Sequence, residues 1–275
     1  MADISASDVK KLRDMTGAGM MDCKKALTES KGDFDKAVEE IRKKGQAVAS
    51  KRAEREASEG AVVAKVTDDS SRGAIVILNS ETDFVAKNEK FVALAYSILD
   101  LALAKKPENL EELKNLEMDG VRVVDKIVEQ IGIIGEKIDI SYYSILDAAQ
   151  VVPYVHPGNK LATLAGFNKK TDYQVGKDIA MQVAAMNPVA VDKDDIPQSA
   201  IEKEIEIGKE QARQEGKPEE LLERIAMGKL NKFYKESTLL NQDFTKDAKK
   251  TVRQYLQEND KELTVTGFIR CTLGG

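Results

Sequence analysis

The chain has 275 residues, of which 42% are hydrophobic and 32% are charged, and it carries a formal net charge of −5. This length suits two or three domains, and the acidic balance argues against nucleic acid as the main partner. A single histidine rules out most histidine-based triads and histidine-rich metal sites. Two cysteines without metal-site spacing indicate a reducing compartment. Because the sequence also lacks a long apolar run and a secretory or transit signal, we expect a cytoplasmic protein.

Residues 1–45 are predicted to form three short helices. Val9, Leu12 and Met15 recur at i, i+3 and i+6, and two glycines then interrupt the pattern at positions 17 and 19. A second helix is expected from about residue 21 to residue 31. Asp33 can cap a third helix, which has one apolar stripe. This stripe comprises Phe34, Ala37, Val38 and Ile41.

Residues 46–59 are polar and rich in alanine and charge, so we predict a linker that is helical in part. Six lysine or arginine residues and a single glutamate lie within residues 42–55. This stretch suits either an RNA contact or the solvated surface of a linker or helix. The solvated surface is the simpler interpretation.

Residues 60–148 are predicted to form a first core subdomain. Val62–Val66 and Ala74–Leu78 read as a strand hairpin, and a long helix should follow from about Phe84 until Pro107 stops it. A second helical stretch is expected over 109–131. A third strand should follow over 137–146, in which Ile138, Ile140 and Tyr142 alternate with polar residues.

Residues 149–275 repeat this pattern with an insertion. A hairpin is predicted over 150–168, a helix over 175–186, a later helix over 246–258 and a last strand over 263–272. The insertion, residues 196–236, reads as two helices separated by Gly216-Lys217-Pro218. Since glycine suits a helix end and proline a helix start, we expect an antiparallel helical hairpin that projects from the body.

A repeated triplet supports this duplication. Thr82-Asp83-Phe84 recurs as Thr171-Asp172-Tyr173, and Asp83 and Asp172 stand 89 positions apart. The same offset aligns the apolar runs that precede the two triplets. Each half is thus strand-strand-helix-helix-strand, which predicts an α+β fold with two three-stranded antiparallel sheets, each with helices on one face.

The sequence carries no motif for covalent chemistry. A glycine-rich phosphate loop is absent, and most acidic residues lie on charged helical faces, where solvation explains them. A pair of catalytic carboxylates stays open, although no pair stands out. We expect a protein that is not an enzyme and needs no cofactor or metal.

The placement of the first triplet is more informative than its composition. Thr82 or Asp83 stands where a strand becomes a helix and can cap the helix, and Asp172 can do the same in the second copy. Phe84 then has two interpretations: a staple against the sheet, or an exposed wedge for a partner. Of Met20 and Met21, adjacent residues that cannot both face one core, one should be exposed to a partner unless it folds back onto the loop.

Two motifs resemble known signatures. Residues 9–27, which include Thr16-Gly17-Ala18-Gly19-Met20-Met21-Asp22-Cys23-Lys24-Lys25, resemble the N-terminal signature of the bacterial elongation factor Ts family. Thr82-Asp83-Phe84-Val85-Ala86-Lys87-Asn88 resembles the second signature of that family. The resemblance covers essentially the whole chain.

The resemblance implies a fold and a function. The fold would have a ubiquitin-associated-like module over residues 1–45, a two-subdomain core and an inserted antiparallel coiled coil. The function would be guanine-nucleotide exchange on the GTPase elongation factor Tu during translation elongation, without direct binding of GDP. Neither a membrane nor nucleic acid would be a partner.

The resemblance also implies residue roles. Contacts with elongation factor Tu are implied for Lys10, Arg13, Met20, Met21, Lys24, Ile134, Gly135 and His156. An ordinary hairpin histidine is the alternative interpretation of His156. Thr82, Asp83, Phe84 and Val85 would disturb the Mg²⁺ and phosphate site, and the second copy, with Tyr173, would be architectural. Two other classes stay open: a binding module on a scaffold without exchange activity, and an RNA-associated ribosomal factor.

Overall fold

The computed structural model describes residues 4–274. The chain begins with three helices: α1 (Ala6–Thr16), α2 (Met20–Glu29) and α3 (Phe34–Arg52). Ser5 and Asp8 cap α1 reciprocally, Gly17 ends it in the left-handed region at φ 71°, and Asp33 caps α3. The three helices predicted for this region are therefore present.

Met15 does not join the core of this unit. Val9 and Leu12 are buried, whereas Met15 is exposed. Each residue turns a helix by 100°, so a residue at i+6 lies about 120° around the helix from residue i and leaves a narrow apolar stripe. The predicted grouping of Met15 with Val9 and Leu12 is wrong for this reason.

Helix α3 continues through the first half of the predicted linker and ends at Arg52. Val48 and Ala49 pack against the core of the following sheet, and this burial favours helix over an open linker. The connection that remains outside helix and strand is residues 53–58.

The first sheet and its helices follow. Their bounds are β1 (Glu59–Val66), β2 (Arg72–Ser80), α4 (Asp83–Ala86), α5 (Glu89–Lys105), α6 (Leu110–Asn115), β3 (Glu117–Met118), β4 (Val121–Arg122), α7 (Val123–Ile134) and β5 (Asp139–Asp147). The long helix predicted from Phe84 is two helices, because Asn88 caps a new start. The stretch predicted as helix over 109–131 contains a small hairpin. Its turn, Asp119-Gly120, has positive φ at both residues and is a strong hairpin signal that the prediction missed.

The second half has the same plan with two helices inserted. Its elements are β6 (Gln150–Val155), β7 (Leu161–Phe167), α8 (Tyr173–Met186), α9 (Gln198–Gln214), α10 (Glu219–Ser237), β8 (Asp243–Phe244), β9 (Asp247–Thr251), α11 (Val252–Asn259) and β10 (Val265–Thr272). The helix predicted over 246–258 is wrong in its first part, which is strand β9. Thr251 and Gln254 form a capping box that fixes the helix start at Val252.

The two larger sheets share strand order and register. The orders are β1-β2-β5 and β6-β7-β10, antiparallel throughout. Val62 lies opposite Ile77 in the first sheet, and Val151 lies opposite Gly166 in the second. Both residues of the second pair stand 89 positions after those of the first, so the offset seen in the sequence extends to strand pairing.

The third strand of each sheet also carries the same irregularity. In the first sheet Ser141 is left between the residues that pair with Ile77 and Leu78, and in the second Thr266 is left between the residues that pair with Gly166 and Phe167. Such a bulge reverses the alternation of side chains along a strand. Tyr143 rather than Tyr142 therefore faces the first core, contrary to the predicted alternation.

The sheets pack face to face between two outer groups of helices. Helices α5 and α7 cover the outer face of the first sheet, and α8 and α11 cover that of the second. Between the sheets lies a third core, which includes Ile75, Ile77, Val151 and Leu164. The expected helices are present on one face of each sheet, and the other face is buried against its counterpart. The fold is α+β as predicted.

Helices α9 and α10 form the predicted antiparallel hairpin and pack chiefly on each other. Gly208 allows the close approach, since a Cβ there would lie 3.2 Å from the Ala226 Cα. Gly216 provides the left-handed turn, at φ 73°. In the described part of the chain, residues 4–274, no helix combines the length and the apolar character needed to cross a membrane.

Helix α3 crosses α7 at a pair of glycines, and this crossing fixes the N-terminal unit on the first subdomain. A Cβ on Gly132 would lie 2.5 Å from the Gly45 Cα, closer than any real contact of this kind. Arg42 of α3 and Glu129 of α7 add an ion pair at 2.9 Å. The backbones therefore touch with no room for a side chain between them.

We expect Gly132→Ala to lower the free energy of unfolding by about 1–3 kcal/mol, because the backbone of Gly45 must move to admit the methyl group. The matched control is Gly228→Ala, also within a helix, where the added Cβ meets nothing within 4 Å. That control should stabilise the protein by up to about 1 kcal/mol through helix propensity. Urea unfolding measures both variants, and equal stability of the two would contradict the close crossing.

Candidate partner-binding site

Phe84 lies on a single helical turn at the end of β2. Helix α4 has only four residues, and the Thr82 hydroxyl accepts a long hydrogen bond of 3.5 Å from the Val85 N–H. Val85 packs against the first core, so it faces inward and anchors the turn. Phe84 points the other way and is 84% exposed. Of the two interpretations of Phe84, the staple is therefore wrong and the exposed side chain is present.

Asp83 is the first residue of α4, and its carboxylate accepts a hydrogen bond of 2.6 Å from Lys87. This hydrogen bond, with the positive charges of Lys87 and Lys160, lowers the pKa of Asp83. The carboxylate is thus ionised at neutral pH, and its residue directly precedes Phe84 in the chain. An apolar side chain and a fixed negative charge are presented together.

The second triplet is not in the same backbone setting as the first. Thr82 is the N-cap in the first copy, whereas Asp172 is the N-cap in the second and Tyr173 is the first residue of α8. Of the two predicted candidates for the first cap, Thr82 is therefore the one observed, and capping by Asp172 in the second copy is confirmed. Tyr173 is 57% exposed, so the expected architectural role finds no support in its burial.

A glutamate from the turn after α7 holds the Thr82 backbone and side chain. The two oxygens of Glu136 accept from the Thr82 N–H at 3.0 Å and from the Thr82 hydroxyl at 2.7 Å. Ile134 and Gly135 immediately precede it, and Gly135 ends α7 in the left-handed region at φ 80°. The structure therefore brings Ile134 and Gly135, predicted from the resemblance, to the side of the Phe84 turn.

Glu81, the residue before Thr82, makes the reciprocal contact with Lys137, the residue after Glu136. Its carboxylate accepts from the Lys137 N–H at 2.7 Å and from the Arg52 guanidinium at 2.9 Å to each oxygen. Burial opposes ionisation of this side chain, which is only 13% exposed. The hydrogen bonds from Lys137 and Arg52 and the charges of Arg52 and Arg55 outweigh that effect and lower the pKa of Glu81.

His156 lies in the turn between β6 and β7. It is exposed and its Nδ1 lies 2.8 Å from the Tyr154 hydroxyl. The turn is joined to the first sheet, because the Val62 N–H donates to the Asn159 carbonyl at 2.7 Å. Lys160 in this turn lowers the pKa of Asp83 by its charge. His156 is therefore exposed on a turn that is joined to the first sheet.

The five residues predicted on the N-terminal unit form a separate exposed set. Lys10, Arg13 and Lys24 are exposed cations, and both Met20 and Met21 are exposed. The prediction that one of the two methionines is exposed is met by both of them. The unit is joined to the Phe84 region through α7, since a Cβ on Gly17 would contact the Ile133 side chain at 3.4 Å.

The basic stretch over 42–55 is largely neutralised by carboxylates. Arg42 pairs with Glu129, Lys43 with two glutamates of its own helix, Lys44 with Asp22, and both Arg52 and Arg55 with Glu81. These are five of its six cations. The stretch is thus a set of intramolecular pairs and not an open basic surface. The excess of lysine and arginine over residues 42–55, which suggested an RNA contact, is therefore explained by these intramolecular pairs.

Sequence reasoning missed Glu81, Glu136, Lys137 and Arg52. The pairs that these residues form are 29 to 56 positions apart in the chain, so no local spacing marks them. Within residues 4–274, no group of three or more histidine, cysteine, aspartate or glutamate side chains is arranged to hold a metal ion.

Comparison with known proteins identifies the family. The sequence model of the family described as Elongation factor TS matches residues 81–275. Proteins named elongation factor Ts are 53% identical in Porphyromonas gingivalis, 54% in Amoebophilus asiaticus and 50% in Flavobacterium psychrophilum. These alignments cover 98%, 98% and 100% of this chain and 98%, 99% and 100% of the relatives. The chain belongs to the elongation factor Ts family.

Membership in the elongation factor Ts family confirms the resemblance read from the two motifs. It makes the chain a nucleotide-exchange factor of translation elongation and a component of protein biosynthesis. The family match begins at Glu81, the residue before Thr82. The exposed Phe84 turn is therefore part of the region that the family model describes.

The exposure of Phe84 predicts that it adds little to folding. Phe84→Ala should change the free energy of unfolding by less than about 0.5 kcal/mol, because the ring leaves few contacts behind. The matched control is Phe91→Ala in α5, where the ring is 2% exposed within the first core. That variant should cost about 3–5 kcal/mol. Chemical denaturation compares the two, and a large loss for Phe84→Ala would mean that its ring packs against the body.

Proposed function

We propose that this chain accelerates the release of GDP from the GTPase elongation factor Tu, and that Phe84 with Asp83 forms the wedge that does so. Family membership supports exchange activity on this partner. The observation that carries the wedge is the 84% exposure of Phe84 on a turn whose start is tied to residues 136 and 137 and whose Val85 packs against the core. Burying such a ring in a partner contributes about 1.5–3 kcal/mol.

The proposed mechanism acts on the metal and phosphate site of the partner. Tight GDP binding to such a GTPase depends on backbone amides around the phosphates and on Mg²⁺, which tolerates little distortion of its octahedral shell. Phe84 inserts between helices of the nucleotide-binding domain, and Asp83 holds the displaced segment. Thr82 fixes the start of the turn, and Val85 anchors it to the core.

Thermodynamic linkage then explains how the factor is released. If it weakens GDP binding by a certain factor, GDP must weaken its binding to the partner by the same factor. Incoming nucleotide therefore displaces it without a separate source of energy. No covalent chemistry and no cofactor are required, and the exchange factor itself does not bind GDP.

The remaining surfaces contribute affinity and orientation. We propose that α1, α2 and the first part of α3 form a ubiquitin-associated-like module whose exposed cations and methionines contact the nucleotide-binding domain of the partner. The residues are Lys10, Arg13, Met20, Met21 and Lys24. Ile134, Gly135 and His156 add contacts from the core. The hairpin of α9 and α10 serves as an antiparallel coiled coil that reaches another domain of the partner.

The proposed function goes with a division of the chain into domains and with a location in the cell. The N-terminal module covers residues 1–45 and continues as helix to residue 52. Core subdomains follow over 60–148 and 149–275, and the second contains the helical insertion 196–236. The protein acts in the cytoplasm, where translation takes place, with neither a membrane nor nucleic acid as its partner.

We expect Phe84→Ala to slow stimulated GDP release by roughly 10- to 100-fold, the factor that corresponds to the loss of one buried aromatic ring. Stopped-flow mixing with fluorescent GDP bound to elongation factor Tu measures the rate at several concentrations of the exchange factor. Tyr173→Ala is the internal control, since it removes an exposed aromatic ring from the corresponding junction of the second copy.

An unchanged rate with Phe84→Ala would remove the wedge from the mechanism. If the unaltered chain itself left GDP release unchanged, the chain would instead be a binding module without exchange activity. Equal losses in Phe84→Ala and Tyr173→Ala would assign both copies of the triplet to the interface.

A second prediction concerns the N-terminal unit. Arg13→Glu should slow association with elongation factor Tu by roughly tenfold at low salt, with a smaller effect at high salt, because long-range attraction between charged surfaces is screened by ions. Lys51→Glu, an exposed cation on α3 outside the proposed contact face, should have no such effect. Surface plasmon resonance at two ionic strengths measures both, and equal effects would take Arg13 out of the interface.

A further inference from the structure

The two segments beside the Phe84 turn are tied by a reciprocal exchange of hydrogen bonds. The Glu136 carboxylate accepts the Thr82 N–H, and the Glu81 carboxylate accepts the Lys137 N–H, at 3.0 and 2.7 Å. Each glutamate thus holds the residue that follows the other in the chain. The Thr82 hydroxyl adds a third bond to Glu136 at 2.7 Å.

The same cluster also holds the end of α3. Arg52 donates both of its close hydrogen bonds to Glu81 from a partly buried position. The Lys137 ammonium donates to the carbonyls of Ala53 and Arg55, each at 2.8 Å, where the chain leaves the helix. One cluster therefore joins the N-terminal unit, the Phe84 turn and the turn that follows Gly135.

The Phe84 turn needs this support because it has little stability of its own. An isolated helix of one turn is unfavourable, since few hydrogen bonds offset the ordering of its backbone. Its N-cap bond is long, at 3.5 Å. Hydrogen bonds to ionised carboxylates are stronger than neutral ones, and those to Glu136 and Glu81 are shielded from solvent in part.

We propose that Glu136 and Glu81 are positioning residues that hold the Phe84 turn in its binding geometry and, through Arg52, link that geometry to the N-terminal unit. The proposal rests on the wedge function proposed above. A side chain held in place beforehand loses less conformational freedom when it inserts into the already bound partner, which is the step proposed to release GDP. The two glutamates thus govern how effectively Phe84 acts, although neither contacts the nucleotide.

The first test measures the free protein and so does not depend on the wedge. Glu136→Gln keeps the shape of the side chain but leaves one uncharged acceptor oxygen where the carboxylate accepts from both the Thr82 N–H and the Thr82 hydroxyl. Hydrogen exchange at the amides of residues 82–87 should become roughly tenfold faster or more, since local opening loses its main restraint. Glu111→Gln, an exposed glutamate of α6, is the matched control.

The second test measures exchange activity with the same variants. Glu136→Gln should lower the maximal rate of stimulated GDP release by roughly tenfold while the concentration for half-maximal effect changes less than twofold, because the other contact surfaces are intact. A general structural defect would instead lower the midpoint of thermal unfolding and alter both quantities. Arg52→Gln should speed amide exchange at residues 82–87 in the same direction as Glu136→Gln.

The outcomes separate this proposal from the wedge. Unchanged amide exchange in Glu136→Gln overturns the positioning role, whatever the GDP release rates are. Glu136→Gln could speed amide exchange without changing the maximal rate of GDP release. If Phe84→Ala slows GDP release in the same assay, that result overturns the role of Glu136 in nucleotide exchange but leaves the wedge intact. If Phe84→Ala is also unchanged, the wedge itself fails. If Glu136→Gln speeds amide exchange at residues 82–87 and Arg52→Gln does not, the link to the N-terminal unit is overturned.

Discussion

Burial of both faces of two small sheets is the constraint on which the rest of the structure depends. An apolar sheet face must be buried against another layer, and here each sheet covers one face with helices and the other with its counterpart. Small residues keep the shared face thin: a Cβ on Gly73 would lie 2.8 Å from the Val151 side chain. This packing also brings the turn that carries His156 and Lys160 from the second subdomain to the edge where Asp83 and Phe84 lie.

The two copies of the fold diverge at one junction. Strand order, register and bulge are shared, but the helix after the second strand begins at Asp83 in one copy and at Tyr173 in the other, with threonine and aspartate as their respective caps. In the first copy the helix stops after one turn and restarts at Asn88. In the second it continues as α8. The short helix leaves Phe84 on a protruding turn, and the restart frees α5 to pack on the sheet independently of that turn.

A protruding aromatic ring is useful to a partner only when its position is fixed. Phe84 exposes an apolar surface that water does not favour, and a mobile turn would add an entropic cost to each binding event. In this structure the Glu136 and Glu81 carboxylates tie the start of the turn to residues 136 and 137, and Val85 packs against the core. The glycine crossing of α3 and α7 also fixes the N-terminal unit, because the helix backbones are in direct contact at Gly45 and Gly132.

The sequence by itself determined the duplication, the helical hairpin and most element types, because periodic apolar positions, caps and glycine or proline breaks act over a few residues. It also contained the two family signatures, and with them Phe84 and the exposed residues of the N-terminal unit. Only the tertiary structure decided that α3 runs on to Arg52, that Thr82 and not Asp83 is the cap, and that Phe84 is exposed. The cluster of Arg52, Glu81, Glu136 and Lys137 was likewise invisible in the sequence. Its members meet only after sheets and helices have packed, and no local pattern records contacts between residues so far apart in the chain.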